Sequence, residues 1–221
     1  IHFLDLNPVL FTFRDTFAVD LSLLVGAVNT AVAFTLFLCT GMIYACIKFL
    51  QEWASPLTVV NYTLLGSTSG FTLATAFAAY QGSGLTQFYG GWAIILTLVS
   101  LLTRASSLIR NTRIKHKSTT ATAVGIRHAR IEQKSQGFMT GSFNTREFFH
   151  GAPQVIFNGI KWLFLLSVFP LPVVLLALGL SANAAGVFVI AFAVQYAGLL
   201  AERWYFFAEA NHPQNLYYQT V

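Results

Sequence analysis

Five long apolar stretches, almost free of charged side chains, limit what this chain can fold into. A helix needs about twenty apolar residues to cross the hydrocarbon core of a bilayer. Stretches at about 21–47, 56–79, 91–110, 160–180 and 184–207 meet that length. The third has an uncharged core, Gly91 to Thr103, and needs its flanks to span. With 55% hydrophobic and 10% charged residues, against about 25% charged in an ordinary soluble domain, the chain has too little polar surface for water. Lipid leaves backbone groups no outside partner, so the spans are helices. The period-two alternation of a membrane barrel is absent. The expectation is an all-α transmembrane bundle, a single domain over residues 1–221. Ser55 and Pro56 open the second helix as N-cap and first helical residue. Pro170 and Pro172 put a kink in the fourth.

Charge sets the expected orientation. Eight of the thirteen Lys and Arg lie between Arg104 and Lys134, in a basic connection read as 104–161. Between lipid-spanning segments such a cluster reflects the positive-inside rule before it reflects nucleic acid, which is not expected as a partner. The basic connection, the Lys48–Ser55 link and the C-terminus then face the cytoplasm. The uncharged Gln81–Gly90 link and the N-terminus face outward, against the sign of Arg14. The first residue is Ile1 rather than Met, as expected of a processed chain or a piece of a longer one.

Small residues recur every fourth position at Gly66, Gly70, Ala74 and Ala78, and again at Ala193, Ala197 and Ala201. They read as helix-packing stripes. Cys39 and Cys46 are about 10 Å apart along one helix, too far for a disulfide, and read as small buried residues. All five histidines (His2, His116, His128, His150, His212) fall in connections or tails, so axial haem ligation inside the bundle is not expected. No metal-ligand spacing, phosphate loop or nucleophile elbow appears. The apolar cores of these stretches, 21–47, 56–79, 91–103, 162–180 and 184–201, hold no charged residue, which argues against an ion or proton transporter. Asn29, Asn61, Asn158 and Gln195 are the main polar groups at membrane depth, read as helix-joining amides.

Charged and aromatic residues gather at one end. Phe49-Leu50-Gln51-Glu52-Trp53-Ala54-Ser55-Pro56 enters the second helix. Gly141 to Gly151, with Arg146, Glu147 and His150, precedes the fourth. Glu202-Arg203-Trp204-Tyr205-Phe206-Phe207 ends the fifth. An aromatic belt with snorkelling charges explains much of this. A docking face beside a slot for a lipid-soluble ligand is the functional reading, because Glu202 next to Arg203 is costly to bury unless paired. The candidate quinone or subunit-interface residues are Trp53, Arg146, Glu147, His150, Glu202, Arg203 and Tyr205.

These stretches, with Val59-Val60-Asn61-Tyr62-Thr63-Leu64-Leu65-Gly66 and Ser69-Gly70-Phe71-Thr72-Leu73-Ala74, resemble the anchor-subunit family of dimethyl sulfoxide reductases. The wording is closest to the branch that holds the anchors of cytoplasmic sulfite dehydrogenases. The resemblance runs over essentially the whole chain and corresponds to the rear part of an eight-helix, haem-free family. It implies a subunit of a respiratory complex in the bacterial inner membrane. That subunit would hold an iron–sulfur subunit and a molybdopterin catalytic subunit and exchange electrons with quinone or quinol. Either direction is implied, sulfite oxidation or dimethyl sulfoxide-type reduction. The molybdopterin and the iron–sulfur clusters would belong to the partners; quinone, or a bound phospholipid, is the expected exchangeable ligand. The family's front part has a histidine segment tied to quinol binding, and nothing in this chain matches it. A stand-alone transporter or channel fragment is the rival reading.

Overall fold

In the computed structural model the described residues are 8–13, 17–115, 119–126, 128 and 153–210. A hairpin comes first: β1 (Val9–Phe13) pairs antiparallel with β2 (Phe17–Asp20), with a register shift between Val9 and Phe11. It leads directly into α1 (Leu21–Ala45), whose first turn is capped by the Asp20 carboxylate, which accepts from the Leu23 N–H at 2.7 Å. Then follow α2 (Pro56–Tyr80), α3 (Thr86–Thr112), the short α4 (Thr120–Val124), α5 (Gln154–Val168), α6 (Pro170–Ala182) and α7 (Ala185–Glu209). Apart from the hairpin, every described element is helical.

α1, α3, the α5–α6 pair and α7 are each long and apolar enough to cross a membrane. α2 has the length, at 25 residues, but is less apolar because hydroxyl residues line its buried side. It is nevertheless the hub, packing on α1, α3 and α7. Thr68, Thr72 and Thr75 of α2 are buried with Thr97 and Ser100 of α3. Most of these hydroxyls donate to carbonyls of their own helix, as Thr72 does to Thr68 (3.0 Å), Thr75 to Phe71 (2.8 Å) and Thr97 to Ala93 (2.6 Å). The side chains stay short and satisfied, so the two backbones can approach closely without a buried polar penalty.

Ser55 caps α2 and Pro56 is its first residue, as the sequence predicts. The predicted kink is a break at Phe169, between α5 and α6. Its chemistry is specific. Pro172 has no N–H, so the Val168 carbonyl four residues earlier has no helical donor. Gln195 of α7, fully buried, donates its Nε2 to that carbonyl at 3.2 Å. Gln195 thus joins helices, as expected of a membrane-depth amide. Gln195→Leu should destabilise the bundle by about 1–3 kcal/mol by stranding that carbonyl. Thermal denaturation in detergent measures it, and an unchanged midpoint would show that the break is stable without the amide.

Several predicted features are corrected. Helix α3 runs on to Thr112 and α5 begins at Gln154, so both ends of the segment read as a basic connection, Arg104 included, are helical. The fourfold small-residue stripes are not the packing faces. Gly66 meets the Phe37 ring of α1, while Gly70 has open space around it, and Ala193 and Ala197 are exposed. The buried line of α7 is Ala191, Gln195, Gly198 and Glu202. Cys39 and Cys46 are free and exposed rather than buried. α1 and α2 approach closely at Gly41, where a Cβ would stand 2.9 Å from the Val59 Cα.

Candidate functional site

The last turns of α1, α3 and α7 and the first turns of α2 and α5 share one end of the bundle. Here the 46–55 link folds back onto the helices and is held by side chains from α3 and α7. The Arg110 guanidinium donates to the carbonyls of Gln51 (2.9 Å) and Glu52 (3.3 Å). Its neighbour Asn111 donates to Glu209 Oε2 at 3.0 Å. Trp53 donates its indole N–H to the Phe206 carbonyl at 3.0 Å and lies flat on the Phe206 ring, centroids 5.1 Å apart. Tyr44, Tyr62 and Phe207 complete the aromatic cluster, and Tyr44 stacks on Tyr62.

Below this layer, deeper in the bundle, is a buried ion cluster. Glu202 is 0% exposed and lies between two guanidiniums. Arg104 Nε, on a side chain 2% exposed, is 2.8 Å from Glu202 Oε1. Arg203 Nε donates to Glu202 Oε2 at 2.6 Å. Arg104 is eight residues before the end of α3, and Glu202 seven before the end of α7. The cluster therefore lies roughly 10–12 Å inside the helix ends. This corrects the expectation that the spans hold no charged group. Each arginine also faces a ring: Arg104 is 5.6 Å from the Phe164 centroid and Arg203 only 4.0 Å from that of Tyr62. Such cation–π contacts replace part of the lost hydration.

On the far side of Arg203 a cavity of about 330 Å³ opens between α1, α2 and α7. Its walls are mostly apolar, from Phe37, Leu65 and Leu199, with Thr40, Tyr62 and Arg203 as polar points. Size and lining fit the usual small-molecule site, an apolar slot with a few converging polar groups. Arg203 Nη1 is buried and has no hydrogen-bond acceptor among the described residues.

Of the candidates named from sequence, Trp53, Glu202 and Arg203 come together here. Tyr205 points elsewhere, into the α5 contact, where its ring stacks on Phe157 at 4.6 Å and meets Phe164 at 5.2 Å. Arg146, Glu147 and His150 lie outside the described residues. Sequence reasoning missed Arg104, Tyr62, Thr40 and the Asn111–Glu209 bond. One signal was available. Thr97, Ser100, Arg104, Ser107 and Asn111 recur at alternating steps of three and four, one continuous helix face. Among the described residues, no group of three or more His, Cys, Asp or Glu side chains is placed to hold a metal ion.

No family model matches the chain, and no solved structure matches it. It is 53% identical over 220 residues to a subunit of the sulfite dehydrogenase of Allochromatium vinosum, a match that covers 100% of this chain and 68% of that protein. At that identity and coverage, a transmembrane helix bundle with a buried ion cluster at one end belongs to the same family as that sulfite dehydrogenase subunit.

Proposed function

We propose that this chain is the membrane-integral subunit of a sulfite-oxidising oxidoreductase, docking its redox partners and passing their electrons to quinone. The whole-chain identity to a sulfite dehydrogenase subunit, joined to membrane-spanning helices, carries the reading. Sulfite and water give sulfate, two electrons and two protons. Quinone takes up two of each to become quinol, so the two half-reactions balance. The relative's name favours this direction over quinol-driven reduction of a sulfoxide. The oxidation belongs to cofactors in partner subunits, an iron–sulfur protein and a molybdopterin protein; this chain supplies placement. The layered end formed by Trp53, Arg110, Asn111 and Glu209 is the docking face. Its basic surroundings support a cytoplasmic placement for it, in a bacterial inner membrane.

Affinity purification of the tagged chain from its native membrane tests the assignment. It should bring down an iron–sulfur protein and a large molybdopterin protein in fixed ratio. Recovery as a lone protein with transport activity would instead support the rival transporter reading.

A further inference from the structure

We infer that the Trp53 end of the bundle receives a carboxylate-rich protein surface, with Phe49 as apolar anchor and Lys48, Arg113 and Lys115 as a cationic rim. This partner chemistry deepens, and rests on, the docking role proposed above.

Charge at this end is sorted by depth. Glu202 is 0% and Glu52 6% exposed. Glu209 is half-buried and accepts from Asn111. The described carboxylates of this end thus turn inward. Outward the sign reverses. Among the described residues, the exposed Lys, Arg, Asp and Glu side chains are Lys48, Arg113 and Lys115, all cationic. Arg110 ties them together: it donates to the Gln51 carbonyl, three residues after Lys48, and stands three residues before Arg113. A surface of one sign attracts its complement and repels its own kind.

Stiffness is the second feature. The 46–55 link is a loop, yet Arg110 and Trp53 fasten it to α3 and α7. Thr58 of α2 donates to the Trp53 carbonyl at 2.7 Å. Within the link, the Leu50 N–H donates to the Ile47 carbonyl (3.2 Å) and the Ala54 N–H to that of Leu50 (3.0 Å). Leu50 is 4% exposed, whereas its neighbour Phe49 is 59% exposed. A loop already held in one shape loses little entropy on binding. An exposed aromatic with charged neighbours has the make-up of a protein interface, an aromatic centre and a polar rim.

Reach separates a protein from lipid headgroups. The 27 residues of α3 make a helix about 40 Å long, against about 30 Å of hydrocarbon. Its last turn, with Arg113 and Lys115 beyond, extends past the acyl region. The link crosses the end of the bundle to meet α3 and α7, which suits an occupant seated on that end. The occupant is a soluble subunit presenting Asp and Glu around an apolar recess.

Capture of the tagged complex from native membranes at rising salt tests this, with partner recovered per chain as the readout. Two variants are compared with wild type: Lys48→Gln, Arg113→Gln and Lys115→Gln combined, and Phe49→Ala. All four side chains are exposed, so the melting midpoint of the chain should not move. The triple variant should release its partner at lower salt. Phe49→Ala should retain about tenfold less partner at every salt concentration, the scale of losing an aromatic hot spot. Lys48→Arg, Arg113→Lys and Lys115→Arg combined keep the charge and should restore wild-type behaviour. Wild-type recovery and salt dependence in either variant would overturn the inference. Loss of bound anionic phospholipid from the triple variant, seen by native mass spectrometry with partner recovery unchanged, would also overturn it and assign the cations to headgroups. A wild-type chain that captures no soluble subunit would overturn the docking role itself, before any variant is compared.

Discussion

Replacing Glu202 with alanine is expected to destabilise the bundle by about 3–5 kcal/mol, the usual cost of removing one partner from a buried ion pair. The effect is large because one carboxylate serves two guanidiniums. Arg104, 2% exposed, would be left buried with Phe164 and no first-contact counter-ion. Arg203 would lose both of its directed bonds. The lower end of the range is expected, because a helix loosened within the membrane can find other polar partners that an unfolded soluble chain would not. Glu202→Gln keeps the shape and one acceptor oxygen and should lose less. Arg104→Met combined with Glu202→Leu removes one guanidinium together with the shared carboxylate but leaves Arg203 without its partner, so it should recover only part of the loss seen with Glu202→Ala. Thermal melting of the solubilised complex measures the series. A Glu202→Ala protein within 1 kcal/mol of wild type would mean that the arginines reach water or headgroups, and that the cluster is not the buried lock described here.

Trp53→Ala should have the second-largest effect, about 2–3 kcal/mol. Full truncation of a core aromatic costs about 3–5 kcal/mol, and Trp53 is only partly buried. Truncation removes the flat stack on Phe206, the edge contacts with Tyr44 and Phe207, and the indole bond to the Phe206 carbonyl. The 46–55 link would then hang on the Arg110 bonds. Trp53→Phe separates the contributions. It keeps the stack and loses only the N–H bond, so about 1 kcal/mol is expected. Because the link forms part of the proposed docking face, Trp53→Ala should also lower the yield of partner subunits recovered with the chain. Equal losses from Phe and Ala would assign the effect to the hydrogen bond alone. No loss from either would return Trp53 to an interfacial aromatic belt.

The spans were legible because hydropathy depends on composition over twenty residues and tolerates local error. The start of α2 and the break at Phe169 were legible because proline acts through geometry and a missing N–H, both visible in sequence. Arg104 was not, because a charge at the edge of an apolar run is ordinarily where a helix leaves the membrane. Here α3 continues, since Glu202 on a distant helix meets the charge, and no local pattern announces a partner 98 residues away. The small-residue stripes misled for a geometric reason. A step of four residues drifts about 40° around a helix each time, so Gly66 and Ala78 cannot face one neighbour. The buried lines alternate steps of three and four, as Thr58, Asn61, Leu65, Thr68 and Thr72 do in α2. The Trp53–Glu202–Arg203 end was found by its clustering of charged and aromatic residues. The cavity beside it was not, because it requires α1, α2 and α7 to be brought together.

The most direct measurement is sulfite-dependent quinone reduction by membranes, compared between cells with this chain and cells lacking only it. The account predicts that sulfite reduces the quinone pool when the chain is present. Without it, the rate should fall to background while the released partner subunits still oxidise sulfite with a soluble dye. Quinone reduction by sulfite at the same rate in membranes lacking the chain would contradict the account.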